Sequence, residues 1–329
     1  MTSNVFLVLG ILCLAISSCN QGNGKKTLTD TPTGGLIHIA VDEAFLPAIQ
    51  SNITAFQGSY TKAKVIAHYV SEKEAFELLL KDSVRFVVSG RDLSQEERAY
   101  FKSIVITPKT IKIATDALGV VLNLSNPDSL LTLAQLRRIL TEKDFVWKKL
   151  GGKGIAQKPE LIIDKVGTSN YAALLTMLKI KPEEIQLRVT AAGGDREVIN
   201  YVNQHPEAIG FMGANWISDP EDPTQTQFRK GITVAYLMSD SLRHSADSNA
   251  YSVSESYFQP LQAYLAQGFY PLTRDVIVVS REARSGLGTG FIAWLASDKG
   301  QRVILKNGLL PATMPIRIIK LKKNSNLAN

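Results

Sequence analysis

The sequence predicts an α/β fold of two lobes, each a mainly parallel sheet flanked by helices, with two hinge crossings between them. Short β-like apolar runs alternate with amphipathic helical stretches from Leu36 onward, a rhythm that argues for strand–helix units and parallel sheets. The length of 329 residues, 45% of them hydrophobic, suffices for two domains of ordinary size. Two extended runs, near Asp116 and near Leu272, read as places where the chain passes between lobes. The first lobe is then discontinuous: residues 36–118 with 268–320, around a second lobe of residues 119–267. Residues 1–19 and 20–35 precede this body, and a basic tail of residues 321–329 follows it.

Each element follows from its pattern. Leu36 to Val41 reads as a strand, and Phe45, Ile49, Ile53 and Phe56 then recur at helical spacing. A second unit pairs the strand Val65 to Val70 with a helix from Glu72 to Leu80, and a third pairs Arg85 to Val88 with Ser94 to Ile104. Ile111 to Asn123 is a longer extended run with a turn-like Asp116-Ala117 at its centre, followed by the turn signal Asn126-Pro127-Asp128. Thr132 is placed to cap a helix from Leu133 to Leu140. Strand Leu161 to Ile163 leads to helix Ser169 to Leu178, and Leu187 to Thr190 leads to helix Asp195 to Asn203. Strands are expected at Ala208 to Phe211 and Ile232 to Leu237, a polar loop over Ser239 to Ser254, and a helix over Tyr257 to Ala266. The strand Asp275 to Ser280, one long helix from Gly290 to Leu305 and a closing strand from Pro315 to Ile319 complete the body.

The N-terminus carries a different signal. Val5 to Ile16 is an unbroken apolar run, too short for a membrane span of about 20 residues and of the length of a signal-peptide core. Ile16-Ser17-Ser18-Cys19 resembles a bacterial lipobox, in which the cysteine is acylated. Met1 to Asn4 departs from the usual pattern in carrying no Lys or Arg. Cys13 and Cys19 are the only cysteines, so disulfides, thiol catalysis and cysteine-ligated metal are not expected in the folded body. Residues 20–35, rich in Gly, Thr and Asn, read as a flexible tether.

Composition excludes little by itself. The net charge of +7 comes from scattered Lys and Arg rather than from one basic face, so a nucleic-acid partner is not expected. His38, His68, His205 and His244 have no ligand-like spacing, and neither a metal nor a cofactor is expected. No Gly-x-Ser-x-Gly, His-Glu-x-x-His or Walker loop occurs, and Gly286 to Gly290 lacks the lysine of a P-loop. No catalytic constellation is therefore assigned.

In open α/β sheets, ligands sit beyond the carboxyl ends of strands, where helix N-termini present free N–H groups. The strand-to-helix turns here contain Glu43-Ala44-Phe45, then Ser71, then Ser89-Gly90-Arg91, and in the second lobe Lys165 to Asn170 and Ala191 to Asp195. Each hydroxyl alone reads equally as a plain N-cap. As a set, with Arg91 and Lys165, they could surround a tetrahedral anion.

Four segments then make the body similar to phosphate ABC transporter substrate-binding proteins (PstS-like), of the type II periplasmic binding protein family. They are Ser89 to Glu97, Asp116 to Leu140, Asn203 to Phe211, and Tyr270-Pro271-Leu272-Thr273-Arg274. The resemblance implies phosphate, or a similar small oxyanion, held between the lobes and passed to an ABC permease. The implied binding residues are Ala44, Phe45, Ser71, Ser89, Gly90, Arg91, Gly167, Thr168, Ser169 and Asn170. Two positions depart from the pattern: Gly90 stands where the family has an acceptor aspartate, and no arginine precedes Gly167-Thr168. Arg91 is expected to supply that guanidinium, and Glu43 must point outward to avoid repelling an anion. The expectation is a monomeric, non-enzymatic solute-binding lipoprotein of the cell envelope, held to a membrane through Cys19. The alternative is a phosphate-sensing or adhesion protein that kept the fold, or a binder of another small oxyanion.

Overall fold

The computed structural model describes residues 30–151, 154–165, 168–217, 229–238 and 256–313. The segment around Cys19, residue Gly167, the polar loop of 239–254 and the closing strand of 315–319 lie outside the described residues.

β1 (Gly35–Asp42) pairs in parallel with β2 (Ala63–Val70) on one side and with β3 (Phe86–Ser89) on the other. The links are α1 (Leu46–Ser59) and α2 (Glu72–Leu80). Apolar residues at Ile37, Ile39 and Val41 alternate toward one packed face, where Phe45, Ile49, Phe56 and Phe86 meet them. α3 (Gln95–Ser103) starts on a capping box: Ser94 Oγ accepts from Glu97 N–H while the Glu97 carboxylate accepts from Ser94 N–H. β4 (Lys109–Asn123) then runs for 15 residues without a break.

β4 joins the molecule. Its first half pairs antiparallel with β11 (Thr273–Ser280), and its second half, Leu118 to Leu122, pairs antiparallel with β8 (Ala208–Gly213). Beyond it, β5 (Leu130–Thr132) leads into α4 (Leu133–Thr141), again on a capping box, Thr132 with Gln135. β6 (Glu160–Ile163), α5 (Ser169–Leu178), β7 (Arg188–Ala191) and α6 (Asp195–Gln204) form the parallel units beside β8. β9 (Ile232–Val234) and β12 (Leu310–Pro311) also pair with β4, while β10 (Tyr236–Met238) pairs with β5. Among the described residues the main sheet has the order β2-β1-β3-β11-β4-β8-β6-β7. One packed core gathers Ile39, Phe45, Phe86, Val276 and Phe291, and another gathers Leu118, Leu136, Trp147, Leu161 and Phe211. The result is a mixed α/β fold, a curled sheet flanked by helices, with these two cores built on the first and second halves of β4.

Four sequence expectations change. No turn forms at Asp116-Ala117: Asp116 is fully buried inside β4 and ion-paired there, so a polar residue in mid-strand marks a partner rather than a break. The expected strand over 232–237 is two strands, β9 and β10, split at Ala235. The helix expected over 257–266 shrinks to α7 (Gln262–Ala266), because Phe258 bridges to Leu237 and Pro260 precedes the first turn. The long C-terminal helix is α8 (Leu287–Ala296) and α9 (Asp298–Lys306), interrupted at Ser297. Ser297 is extended, with ψ 162°, and its hydroxyl caps α9 by accepting from Gly300 N–H.

Candidate interlobe binding site

The carboxyl end of β1 delivers Asp42, whose Oδ1 accepts from Ala44 N–H at 3.1 Å and so starts the tight turn Glu43–Phe45. Facing it are the first residues of α5, a ten-residue helix whose leading N–H groups lack intrahelical acceptors. Between them stands Arg274 of β11, in register opposite Asp116 of β4. The pairing of these strands therefore places a guanidinium and a carboxylate side by side where the two cores meet.

Arg274 is almost wholly buried, its side chain 5% exposed and that of Asp116 0%. Its Nε and Nη2 donate to Asp116 Oδ2 at 3.0 and 2.8 Å, Nη1 to Ser169 Oγ at 2.8 Å, and Nη2 to Asn170 Oδ1 at 2.7 Å. The guanidinium lies over the Phe45 ring, 4.8 Å from its centroid. Asn170 in turn donates to Asp164 Oδ2 and Asp195 Oδ1, and Thr168 donates to Asp164 Oδ1 at 2.6 Å.

Carboxylates outnumber the cation in this cluster. Burial pushes Asp42 up to about 6 against the pull of Arg274. Burial also raises Asp116, Asp164 and Asp195, and the Asp164 carboxylate adds to the rise of Asp195. The Ser169 hydroxyl hydrogen-bonds the Asp42 carboxylate, and the Ala117 and Ala214 N–H groups hydrogen-bond that of Asp116. Asn215 comes to the same place, its Nδ2 donating to the Ala44 carbonyl at 2.9 Å. A side chain added at Gly213 would meet Asn215 Oδ1, Asp116 Oδ2 and the Ala44 carbonyl together.

The structure brings several residues expected from the sequence to this point. Ala44 and Phe45 line it from β1, and Ser169 and Asn170 contact Arg274 directly. Gly90 faces the same place: a Cβ there would sit 3.5 Å from Arg274 Cδ and from Ser169 Cβ. Thr168 turns its hydroxyl to Asp164. Ser71 caps α2 by accepting from Glu74 N–H, and Ser89 Oγ accepts from Arg91 N–H. Arg91 is engaged elsewhere. Its guanidinium meets Glu72 at 2.8 Å and Glu97 at 2.8 and 2.9 Å, and stacks on Phe76 at 3.8 Å. Glu43 meets Lys165 with its carboxylate oxygens at 2.7 and 2.8 Å from Nζ, an ion pair that spans the gap between β1 and α5.

Sequence reasoning missed Arg274, Asp42, Asp116, Asp164, Asp195 and Asn215 as site residues. A signal for Arg274 and Asp116 was present: the expected crossings carry charged residues within extended runs, Lys112 and Asp116 in one, Arg274 and Asp275 in the other. Two such runs laid antiparallel would match those charges. The remaining carboxylates carry no pattern that separates them from helix caps. Among the described residues, no group of three or more His, Cys, Asp or Glu is arranged to hold a metal ion, and no helix is long and apolar enough to cross a membrane.

Known structures share this architecture. A protein described as a phosphate ABC transporter substrate-binding protein from Clostridium perfringens, with phosphate bound, superposes with a TM-score of 0.67 at 18% identity, over 84% of this chain and 99% of that one. An ABC-type phosphate transport receptor from Vibrio cholerae gives 0.61 at 17% identity over 84% and 100%. PstS from Borrelia burgdorferi gives 0.52 at 20% identity over 84% and 98%. No curated protein matches by sequence. A family model described as a PBP superfamily domain matches residues 26–299, and the chain belongs to the PBP superfamily.

Proposed function

We propose that this chain is an extracytoplasmic solute-binding lipoprotein that captures phosphate between its lobes and passes it to an ABC permease. The observation that carries the reading is the buried Arg274 guanidinium, presented with Ser169 and Asn170 between the Ala44-Phe45 turn and the start of α5. A planar guanidinium flanked by helix-start N–H groups is suited to an oxyanion. The phosphate named for the structural neighbours supports the choice of ligand. In this reading Ala44, Phe45, Gly90, Ser169 and Asn170 surround the anion, and Thr168 braces them through its bond to Asp164.

The lobes divide at residues 118 and 268, Cys19 carries the lipid, and the protein acts as a monomer without catalysing a reaction. Calorimetric titration of the purified body with phosphate and sulfate tests the ligand: heat with phosphate is expected, and none with any small oxyanion would sink the reading. Hydrolysis of a chromogenic phosphate ester would sink the non-enzymatic part. Loss of membrane partition in Cys19→Ala tests the anchor. The crowd of carboxylates favours a second reading, a phosphate-sensing or adhesion protein that kept the fold, or a binder of another small oxyanion; binding of another oxyanion in place of phosphate would support the last.

A further inference from the structure

Two histidines from separate strands meet where β1 pairs with β2, at the end of the main sheet. His38 and His68 lie 30 positions apart in the chain, yet His38 Nδ1 and His68 Nε2 stand 2.9 Å from each other, with the rings nearly parallel at 19°. The parallel register causes this. His38 sits opposite Ile66 and His68 opposite Ala40, so the two side chains share one face of the sheet and meet on the diagonal. His68 is exposed and His38 half-buried, which leaves the pair open to solvent. Of the cations flanking it, Lys64 is exposed to screening water, and Arg85, whose N–H donates to the His38 carbonyl, has its guanidinium 3.7 Å from Asp82. His38 precedes Asp42 by four residues on β1, about 13 Å along the strand, so the pair is separate from the interlobe site.

We propose that His38 and His68 together chelate a divalent metal ion of tetragonal preference, copper(II) or nickel(II). The spacing selects the metal. With metal–nitrogen bonds of about 2.0–2.1 Å, a nitrogen separation of 2.9 Å subtends about 90° at the ion. That is the angle between neighbouring ligands in square-planar and octahedral coordination, the geometries of copper(II) and nickel(II). A tetrahedral zinc ion would need the two nitrogens about 3.3–3.4 Å apart. The χ2 torsion of histidine is broad, so each ring can turn its lone pair from the neighbouring nitrogen to a shared point in solvent. Each ring keeps a second nitrogen to carry its hydrogen, and the hydrogen between the rings leaves the inner nitrogen as the metal arrives. Water fills the remaining positions, so the site is an exchangeable one and needs no third protein ligand. It does not depend on the anion-binding reading.

The test is calorimetric titration of the full chain with nickel(II) chloride at pH 8, on wild type, His38→Gln, His68→Gln and His205→Gln. Nickel(II) is the probe because it does not oxidise the thiols of Cys13 and Cys19. A chelate gains its affinity from a second bond that forms within the molecule, so losing either histidine of the pair should weaken binding about 10²-fold. His205→Gln should bind as wild type does. Equal binding by wild type and both pair variants overturns the proposal, as does a loss confined to one of them or the absence of a site in wild type. Should a pair variant fail to fold, proton NMR of wild type decides. Nickel(II) should broaden the imidazole signals of His38 and His68 together, at lower metal than those of His205 and His244. Broadening that does not favour the pair overturns the proposal.

Discussion

Arg274 sits where fold and site depend on the same group, so its removal separates the two contributions. In Arg274→Met the apolar stem is roughly kept, while four side-chain hydrogen bonds, to Asp116 twice, to Ser169 and to Asn170, are lost. Asp116 is left fully buried with no opposite charge. Breaking a buried pair from one side costs about 3–5 kcal/mol. For a chain of this size, with an unfolding entropy of about 2.1 cal/mol/K per residue, that lowers Tm by about 4–7 °C. The loss depends on pH. With the guanidinium gone, the Asp116 carboxyl, already raised by burial, rises further above its unfolded value near 3.9. The native state then binds more protons than the unfolded state, so stability falls as pH increases between those two values, by about 1.4 kcal/mol per unit.

Thermal unfolding of wild type and Arg274→Met at pH 5 and pH 8 checks this. The difference between them should be largest at pH 8 and shrink at pH 5. A variant within about 1 kcal/mol of wild type at pH 8 would refute the view that Arg274 compensates buried charge. An equal deficit at both pH values would instead assign the loss to packing.

Other substitutions test neighbouring parts of the structure. Asp42→Asn removes a carboxyl whose ionisation burial opposes, raised from 3.8 to about 6; its folded value is raised, so the cost is absent at pH 4 and complete above pH 6. The variant should gain up to about 3 kcal/mol over wild type at pH 7, measured by denaturant unfolding, with no gain at pH 4. Lys165→Ala breaks a half-exposed ion pair with Glu43 and should change stability by less than about 1 kcal/mol, an effect that fades in high salt. Gly290→Val drives a side chain into the Pro32 carbonyl, 1.8 Å from the position of its Cβ. It should cost about 1–3 kcal/mol in thermal unfolding; an unchanged Tm would show that residues 30–34 do not pack on α8 as described.

The fold was legible because its elements carry local signals. Ser94 with Glu97 and Thr132 with Gln135 are capping boxes visible in sequence and present in the structure. The parallel strands are short runs bounded by helices. The errors came where one residue has two meanings. Asp116-Ala117 looks like a turn when the partner that neutralises Asp116 is 158 positions away. Ser297 inside an amphipathic stretch looks like a tolerated polar residue until its hydroxyl is seen capping the second helix. For the site, residues at helix starts were within reach of sequence reasoning. Arg91 reads from the sequence as a source of the guanidinium because it stands in a strand-to-helix turn, whereas the acids that hold it, Glu72 and Glu97, are only identifiable once α2 and α3 are folded together.

The departures at Gly90 and at Arg274 belong to one arrangement. The cation is carried by β11 and fixed by its register with β4, so it reaches the site along the strand rather than from a turn of the second core. Its stem then occupies the volume that a side chain at position 90 would point into: Arg274 Cδ, Ser169 Cβ and Phe45 Cζ all lie within 3.7 Å of a Cβ built there. A methyl fits that space at ordinary contact distance, but a carboxylate extending two bonds further would have to displace Ser169 or the guanidinium. The acceptor role expected at position 90 is therefore open to a neighbouring strand end, and Asp42, buried beside Ala44, is the carboxyl in position to take it. Gly90→Asp should weaken anion binding rather than improve it, because it crowds Arg274 and adds a further negative charge. Tighter binding in that variant would show that the site lacks an acceptor, which the buried carboxylates of Asp42 and Asp116 argue against.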